Sequence, residues 1–352
     1  MQEPYIHPLQ AIVPPLIEWY QKNRIEWPFR KDPTPYHVWL SEIMLQQTRI
    51  EAALPYYERF LTQLPTVEAL AAVEDDKLMK LWQGLGYYSR ARNLQKAARQ
   101  IMQEHGGQFP KDYPSIRALA GVGDYTAGAI ASIAFGLPTP AVDGNVLRVI
   151  SRICADGGDI LAPATRKRYT AALEEIIPVK APGDFNQAMM ELGATVCLPN
   201  GAPLCESCPA RDFCRAKREG KTDVFPVKAP KKPRKIEERT VFLLFHGDSV
   251  ALRQREKKGL LAGLWEFPNV LGEKFPEEWG IAPENLTKTA VGRHIFTHIE
   301  WHMTAFSGEL DDAELPEGWV WADKYELKHR YAVPNAFQFV KDAVERRVRY
   351  AL

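Results

Sequence analysis

Four cysteines lie close together in one short segment of the chain. Cys197, Cys205, Cys208 and Cys214 have the spacing C-x7-C-x2-C-x5-C, which lets one compact loop present four thiolates to a single centre. On spacing alone, a zinc ion and a four-iron cluster fit equally well, and ordinary buried thiols remain a third reading. The pattern predicts a metal site in residues 197–214 and leaves the metal open.

A glutamate within an apolar helical pattern is the main candidate for acid chemistry. Three of the four neighbours of Glu42 at helical spacing are apolar, namely Val38, Trp39 and Leu45. Such neighbours desolvate a carboxyl group and raise its pKa toward the range of a general acid. An exposed glutamate without chemistry is the alternative.

A second carboxyl group and a glycine turn complete the candidates. Asp143 precedes Gly144, Asn145 and a helical pattern, so it is either the N-cap of a helix or a functional acid at its start. Gly121-Val122-Gly123 lies between two helical patterns and permits a tight turn whose outward amides bind a phosphate. A plain helix-to-helix turn explains the same residues.

The elements that must position these residues are mostly helices. Residues 9–220 consist of helix-period segments separated by Pro or Gly, for example 66–81 and 90–103. The apolar stretch 125–142 contains two glycines and two prolines and predicts a buried helix followed by a turn, not a membrane span. The sequence therefore predicts a helical domain over residues 1–224.

The chain changes character after residue 224. Residues 225–239 contain three prolines and six cationic against two acidic side chains, which predicts a basic, extended linker. Beyond it, residues 241–245 and 299–306 predict strands and residues 342–351 a helix. We therefore expect a smaller α/β domain over residues 240–352.

Composition excludes several classes of protein. The 352 residues are 45% hydrophobic, which rules out a disordered chain, and five cysteines are too few for a disulfide scaffold of this length. With 45 cationic and 44 acidic side chains, overall charge gives no reason to expect a nucleic-acid partner. Acidic Glu3 and Pro4 precede any hydrophobic run, so we expect no signal peptide and an intracellular protein without a membrane partner.

Several motifs together resemble one known family. They are Val-Trp-Leu-Ser-Glu-Ile-Met-Leu-Gln-Gln-Thr at 38–48, Gly-Leu-Gly-Tyr-Tyr-Ser-Arg at 84–90, Gly-Val-Gly at 121–123, Val-Asp-Gly-Asn at 142–145 and the cysteine loop. Over nearly the whole chain they resemble adenine-specific mismatch DNA glycosylases of the MutY type. The resemblance implies a helix-hairpin-helix glycosylase domain with one 4Fe-4S cluster on the four cysteines, and a Nudix-like domain that recognises 8-oxoguanine. It also implies double-stranded DNA with adenine opposite 8-oxoguanine or guanine as partner, and a monomer acting on the chromosome in the cytoplasm.

The resemblance assigns roles to four catalytic residues. Glu42 would protonate N7 of adenine, Asp143 would stabilise the oxocarbenium-like sugar cation, and Asn145 would orient Asp143. Tyr125 occupies the position where lyase relatives of the endonuclease III type carry a lysine nucleophile. Without that amine no Schiff base forms there, so we expect a monofunctional glycosylase that hydrolyses the N-glycosidic bond, with Tyr125 helping to stabilise the cation.

Further matches concern recognition. Gln47 and Tyr87 match positions that wedge into the base stack near 8-oxoguanine, and Arg30 and Gln187 match the adenine pocket. The remaining matches are the phosphate-binding turn at Gly121, Val122 and Gly123, and the loop that distinguishes 8-oxoguanine from guanine at Phe296, Thr297 and His298.

The chain departs from the family pattern at a few positions. Phe29 replaces a tryptophan of the adenine pocket, Thr297 a serine, and Ala120 a proline. Leu147 replaces a lysine of some relatives, and the first cysteine gap is seven residues instead of six. The paired glutamates that hold Mg²⁺ in Nudix hydrolases do not follow residues 259–268, so we expect this domain to bind without hydrolysing.

Three other functions fit part of the sequence. An endonuclease III-like lyase for oxidised pyrimidines shares the fold and cluster, but Tyr125 and the Nudix-like domain disfavour it. A non-catalytic, iron-sulfur DNA-binding or redox-sensing protein would leave Glu42 and Asp143 with only structural roles. A nucleotide pyrophosphatase would require the missing acidic residues.

Overall fold

The computed structural model describes residues 3–230, 233–273, 275–281, 283–311 and 314–349. Residues 231–232 of the predicted linker and residues 350–351 of the predicted last helix lie outside this range. The chain forms two compact units: the first comprises residues 1–57, 61–72 and 93–230, and the second comprises residues 58–60, 73–92 and 231–352. Throughout the described ranges, every helix is too short or too polar to cross a membrane.

Helices precede the sheet along the chain. The α-helices before the sheet are α1 (Glu3–Asn23), α2 (Pro28–Lys31), α3 (Pro35–Met44), α4 (Ile50–Gln63), α5 (Val67–Ala72), α6 (Asp75–Trp82), α7 (Ser89–Glu104), α8 (Tyr113–Ala118), α9 (Asp124–Phe135), α10 (Gly144–Cys154), α11 (Pro163–Ile176), α12 (Pro182–Thr195) and α13 (Arg215–Arg218). Short 3₁₀ turns cover Cys205–Ser207 and Arg211–Phe213. Of the residues described, none before Lys235 belongs to a strand, which confirms the predicted helical part.

Individual helix predictions are confirmed except for one break. The predicted helix 90–103 lies within α7, and residues 125–142 form most of α9 and the turn that follows. Residues 66–81 instead form α5 and α6, because Glu74 has an extended backbone (φ −64°, ψ 142°) and serves as the N-cap of α6. Asp75 and Asp76 then occupy its first turn, where acidic side chains favour a new helix start.

The core of the first unit brings the candidate residues together. Helices α1, α10, α11 and α12 share one apolar core, and α3 packs on α9. A Cβ atom added to Gly193 of α12 would lie 2.5 Å from the Cβ of Asn145 on α10. The glycine therefore permits the close approach of these two helices behind Asp143.

The second unit contains one sheet of seven strands. The strands are β1 (Lys235–His246), β2 (Ser249–Gln254), β3 (Trp265–Glu266), β4 (Asn269–Leu271), β5 (Glu284–Ile295), β6 (Ile299–Glu309) and β7 (Trp319–Ala322). The order is β3-β2-β1-β6-β5, with β4 paired to β1 and β7 to β2. Helices α14 (Lys324–His329) and α15 (Lys341–Arg347), with 3₁₀ turns at Glu277–Trp279 and Asn335–Val340, also belong to this unit.

The predicted strands lie within β1 and β6, but two boundaries need correction. β1 begins at Lys235, inside the predicted linker, and pairs in parallel with β6 from Lys235 opposite Ile299. The first residues of β1 carry charged side chains, and Glu237 forms ion pairs with Lys235 and Arg239. Because the backbone makes the strand pairing, this part of β1 does not require apolar side chains. The last helix begins at Lys341 and ends at Arg347, two residues before the end of the described chain.

Candidate active site

A cleft in the first unit gathers six of the predicted site residues. Its volume is about 800 Å³, within the size range of small-molecule sites. Three aromatic side chains, Tyr20, Trp27 and Phe29, form part of its wall. The predicted residues that line it are Arg30, Glu42, Tyr125, Asp143, Asn145 and Gln187.

Glu42 lies on α3 at the wall of this cleft. The helix starts at Pro35, and the hydroxyl of Thr34 caps it by accepting the His37 amide. Burial raises the pKa of Glu42 to about 7, with a smaller increase from the charge of Asp143. The carboxyl group therefore holds its proton at a higher pH than an exposed glutamate, as its apolar neighbours predict.

Tyr125 is the direct partner of Glu42. It lies in the first turn of α9, and its hydroxyl donates a hydrogen bond to Oε2 of Glu42. The same hydroxyl is 3.4 Å from the sulfur of Met190 on α12. Burial, together with the charges of Glu42 and Asp143, raises the pKa of Tyr125 well above its usual value. Tyr125 is therefore a neutral hydrogen-bond donor.

Asp143 is both the N-cap of α10 and a residue of the cleft. Its Oδ1 accepts the Val146 amide at 2.8 Å, and its Oδ2 accepts Nδ2 of Asn145 at 2.8 Å. The pKa of Asp143 is raised above its usual value, because burial outweighs the opposite effect of both hydrogen bonds and the charge of Arg148. The two readings left open by the sequence are thus compatible, since one oxygen caps the helix while the group lines the cleft.

A buried arginine links Asn145 to the cysteine segment. Nη2 of Arg148 donates to Oδ1 of Asn145 at 2.8 Å and to the Gly193 carbonyl at 2.7 Å. Its Nε donates to the Cys197 carbonyl at 2.8 Å. The Asn145 amide therefore has a fixed orientation, with its NH₂ group toward Asp143. Sequence reasoning missed Arg148, although its place one turn after Asn145 on the predicted helix was a signal.

The side of the cleft near α12 includes an ion pair that the sequence did not predict. Nη1 of Arg30 lies 2.5 Å from Oε2 of the buried Glu191, and Oε1 of Glu191 accepts the Ile25 amide at 3.2 Å. Gln187 lies one helical turn before Glu191, and its Nε2 donates to the Gly183 carbonyl at 3.3 Å. No local pattern connects residues 30 and 191, so only the fold reveals this pair.

Three of the departures from the family pattern have defined surroundings in the structure. The ring of Phe29 stacks on Trp27 at 6.4 Å, so an indole is present two residues before the position where the family carries one. Ala120, unlike a proline, has an amide proton, and its amide donates to Oε1 of Gln100 at 2.8 Å. Leu147 is buried in the core of the first unit.

The glycine turn connects α8 to α9, and its three residues differ in backbone conformation and hydrogen bonding. The Val122 amide donates to the Leu119 carbonyl at 3.1 Å and the Val122 side chain is buried, so this residue closes the turn. Gly121 has φ +72°, a conformation that favours glycine. Gly123 is the N-cap of α9. The phosphate contact predicted for Gly121, Val122 and Gly123 stays a prediction, and the Val122 amide already has a partner within the turn.

Both predicted wedge residues have a left-handed backbone. Gln47 has φ +60° and is exposed in the first unit, outside the residues that line the cleft. Tyr87 has φ +45° and is 47% exposed in the second unit. Such backbone angles are uncommon outside glycine and cluster at functional positions.

The predicted discriminating loop is the turn between β5 and β6. Phe296 packs against Trp301 at 4.8 Å between ring centroids, whereas Thr297 and His298 are exposed. Oγ1 of Thr297 lies 3.1 Å from the hydroxyl of Tyr87, within the same unit. Threonine keeps the hydroxyl group of the family's serine, and here that hydroxyl is within hydrogen-bond distance of Tyr87.

The four cysteines line one cavity at the end of α12. All four are free thiols and partly exposed. Nη1 of Arg152 lies 3.2 Å from Sγ of Cys197, and Sγ of Cys214 donates to the Arg152 carbonyl at 3.4 Å. In the part of the chain that the structure describes, no three His, Cys, Asp or Glu side chains converge as one metal ion requires.

Comparison with family models identifies both parts of the chain. Residues 40–178 match the model of the HhH-GPD superfamily base excision DNA repair protein, and residues 240–342 match the NUDIX domain. A protein of Homo sapiens named adenine DNA glycosylase is 34% identical, with 92% of this chain and 72% of the human protein covered. The protein of the same name in Schizosaccharomyces pombe is 32% identical, with 89% and 85% covered.

Solved structures agree with the helical part of the fold. A thermostable thymine-DNA glycosylase superposes with a TM-score of 0.56 and 26% identity, covering 60% of this chain and 98% of that one. Endonuclease III trapped as a covalent intermediate with DNA gives a TM-score of 0.51 and 25% identity, covering 60% and 97%. The helix-hairpin-helix glycosylase fold and the Nudix-like domain are thereby confirmed.

Proposed function

Since the chain belongs to the family of adenine DNA glycosylases, we propose that it removes adenine mispaired with 8-oxoguanine or guanine in double-stranded DNA, as a step of base excision repair. The reaction is hydrolysis of the N-glycosidic bond. The observation that carries the proposal is the pair of acids in one cleft, Glu42 with its raised pKa and Asp143 with its hydrogen-bond donors.

Glu42 acts as the general acid. Adenine is a poor leaving group, and a proton on N7 withdraws electrons from the bond to the sugar. A carboxyl group whose pKa is about 7 is still protonated in a large fraction of molecules at neutral pH. The Tyr125 hydroxyl keeps its own proton, so it orients the Glu42 carboxyl group without competing as an acid.

Asp143 stabilises the positive charge that develops on the sugar as the base leaves. Donors on both oxygens, the Val146 amide and Asn145, favour its ionised form and fix its direction. Water then adds at C1′ of the sugar and loses a proton. Tyr125 provides no amine, so the product is an abasic site in an intact strand.

Recognition of the pair uses both units of the chain. The extruded adenine enters the cleft between the rings of the wall and the polar groups of Arg30 and Gln187. Gln47 and Tyr87 occupy the space that the extruded base leaves, and the turn Phe296-Thr297-His298 contacts 8-oxoguanine. Gly121 and Gly123 bind a phosphate of the DNA backbone.

The four cysteines would hold a 4Fe-4S cluster. Their fit rests on the donor set, since four thiols line one cavity and an arginine donor faces Cys197, as hydrogen bonds to ligating sulfurs do in such centres. When bound, the cluster supplies a rigid cross-link of residues 197–214, and Arg148 connects that segment to Asn145.

A glycosylase assay tests the proposal. Duplexes with adenine opposite 8-oxoguanine, adenine opposite guanine, and 8-oxoguanine opposite cytosine are incubated with the wild type and with Glu42→Gln. We expect adenine release from the first two duplexes only, and loss of release in the variant. Release of 8-oxoguanine, or equal turnover by both proteins, would contradict the assigned chemistry, and strand cleavage without added base or heat would contradict the monofunctional reaction.

A further inference from the structure

A helical segment from the first half of the chain belongs to the second unit. Residues 73–92, with α6 and the following turn, cluster with residues 231–352. Several of the contacts are hydrogen bonds from polar side chains of this segment to backbone carbonyls. Nε2 of Gln83 donates to the Val333 carbonyl at 2.8 Å, and Nη1 of Arg92 donates to the Ala262 carbonyl at 2.6 Å.

Lys80 makes two of these hydrogen bonds. Its Nζ donates to the Leu327 carbonyl at 2.8 Å and to the Tyr331 carbonyl at 3.0 Å. The Leu327 carbonyl belongs to the last turn of α14, where the helix dipole favours a cation, and Tyr331 follows the C-cap residue Arg330. Burial lowers the pKa of Lys80 to about 8, so its environment is partly desolvated and the loss of either carbonyl would be costly.

The chain between this contact and Tyr87 is short and tightly held. Gly84 and Gly86 have φ values of +107° and +68°, and the Gly86 carbonyl accepts Nε1 of Trp82 at 3.1 Å and Nη2 of Arg90 at 3.2 Å. The Arg90 guanidinium also lies 5.7 Å from the centre of the Tyr87 ring. These contacts connect the end of α6 to Arg90 and Tyr87.

Tyr87 meets the turn between β5 and β6 through the hydrogen bond of its hydroxyl with Thr297. We propose that Lys80 is a positioning residue for recognition of the base opposite adenine, because its ammonium group fixes α6 and thereby the Tyr87–Thr297 pair. The inference rests on the proposed function, in which this pair contacts 8-oxoguanine.

The test is a coupling measurement on the full chain. Single-turnover adenine release is measured opposite 8-oxoguanine and opposite guanine for the wild type, Lys80→Met, Tyr87→Phe and the double variant. Lys80→Met reduces the preference for 8-oxoguanine about fivefold, the factor that corresponds to one hydrogen bond, and leaves the rate opposite guanine nearly unchanged. The double variant is no worse than Tyr87→Phe alone, because both changes disrupt the same pair.

Lys77→Met is the matched control, since Lys77 is an exposed lysine one turn earlier on α6, and it should retain the full preference. If Lys80→Met does not fold, as judged by thermal unfolding, Gln83→Leu removes the neighbouring contact and should give the same selective loss. A full preference in Lys80→Met, an equal loss of rate on both duplexes, or additive effects in the double variant would overturn the inference alone. A wild type that releases no adenine would overturn the proposed function and this inference with it.

Discussion

The Tyr125 hydroxyl donates a hydrogen bond to Oε2 of Glu42. Tyr125 is therefore in direct contact with the carboxyl group that we propose protonates adenine. This bond favours the ionised form of Glu42 and lowers its pKa, whereas burial and the nearby Asp143 raise it more strongly. The balance leaves the pKa near 7. Tyr125 thus limits how far burial can raise the pKa of the acid.

The first prediction concerns the pH dependence of base removal. A group with a raised pKa stays neutral up to that pKa, so the proton of Glu42 is present below about pH 7 and lost above it. We expect the single-turnover rate to fall on the alkaline side of about pH 7, by about tenfold per pH unit. In Tyr125→Phe the hydrogen bond is lost, so the alkaline limb moves to higher pH.

A pH–rate profile of both proteins on adenine opposite 8-oxoguanine measures this shift. Tyr56→Phe serves as a control, because Tyr56 is a tyrosine of α4 outside the residues that line the cleft. A limb that moves to lower pH in Tyr125→Phe, or that stays in place, would show that the hydroxyl does not stabilise the Glu42 carboxylate.

The second prediction separates the two roles of Asp143. Serine is as good an N-cap as aspartate but carries no charge, so Asp143→Ser should keep the stability of α10 and lose base removal. Asp143→Ala should lose base removal and also about 1 kcal/mol of unfolding free energy. Urea unfolding and single-turnover release are measured on the same preparations. Substantial activity in Asp143→Ser would mean that capping is the main role of Asp143.

Local patterns in the sequence predicted much of this site, and distant contacts explain what they missed. Glu42 is recognisable because its apolar neighbours are three and four residues away, within one helix. Its partner Tyr125 is 83 residues distant, and Glu191 is 161 residues from Arg30, so no spacing rule connects them. Likewise, residues 235–239 are read as linker because their charges suit solvent, and only their pairing with β6 makes them a strand.

The third prediction concerns the cysteines. The chain purified without oxygen should contain about four irons per molecule and an absorption band of an iron-sulfur centre, and little zinc. Cys208→Ser should lose iron, because Cys208 lines the cavity shared by the four cysteines. Cys154→Ser is the matched control, since this buried cysteine lies outside the lining of that cavity and should leave the iron content unchanged. One zinc ion per molecule in place of iron would show that the four cysteines form a zinc site, the other metal centre that their spacing permits.

The fourth prediction concerns the hydroxyl of Thr297. Valine has nearly the same shape as threonine but cannot bond to Tyr87, so Thr297→Val removes the contact with little change in volume. Since one hydrogen bond corresponds to roughly a fivefold effect, we expect a loss of about that size in preference for 8-oxoguanine over guanine, with a smaller change in the rate opposite guanine. Thr289→Val is the control, because the Thr289 hydroxyl bonds to Ser307 on the neighbouring strand, away from the turn at 296–298. Competition between the two duplexes measures the preference directly. An unchanged ratio in Thr297→Val would exclude this hydroxyl from recognition and leave the backbone of the turn, Phe296 and His298 as the groups that contact the base.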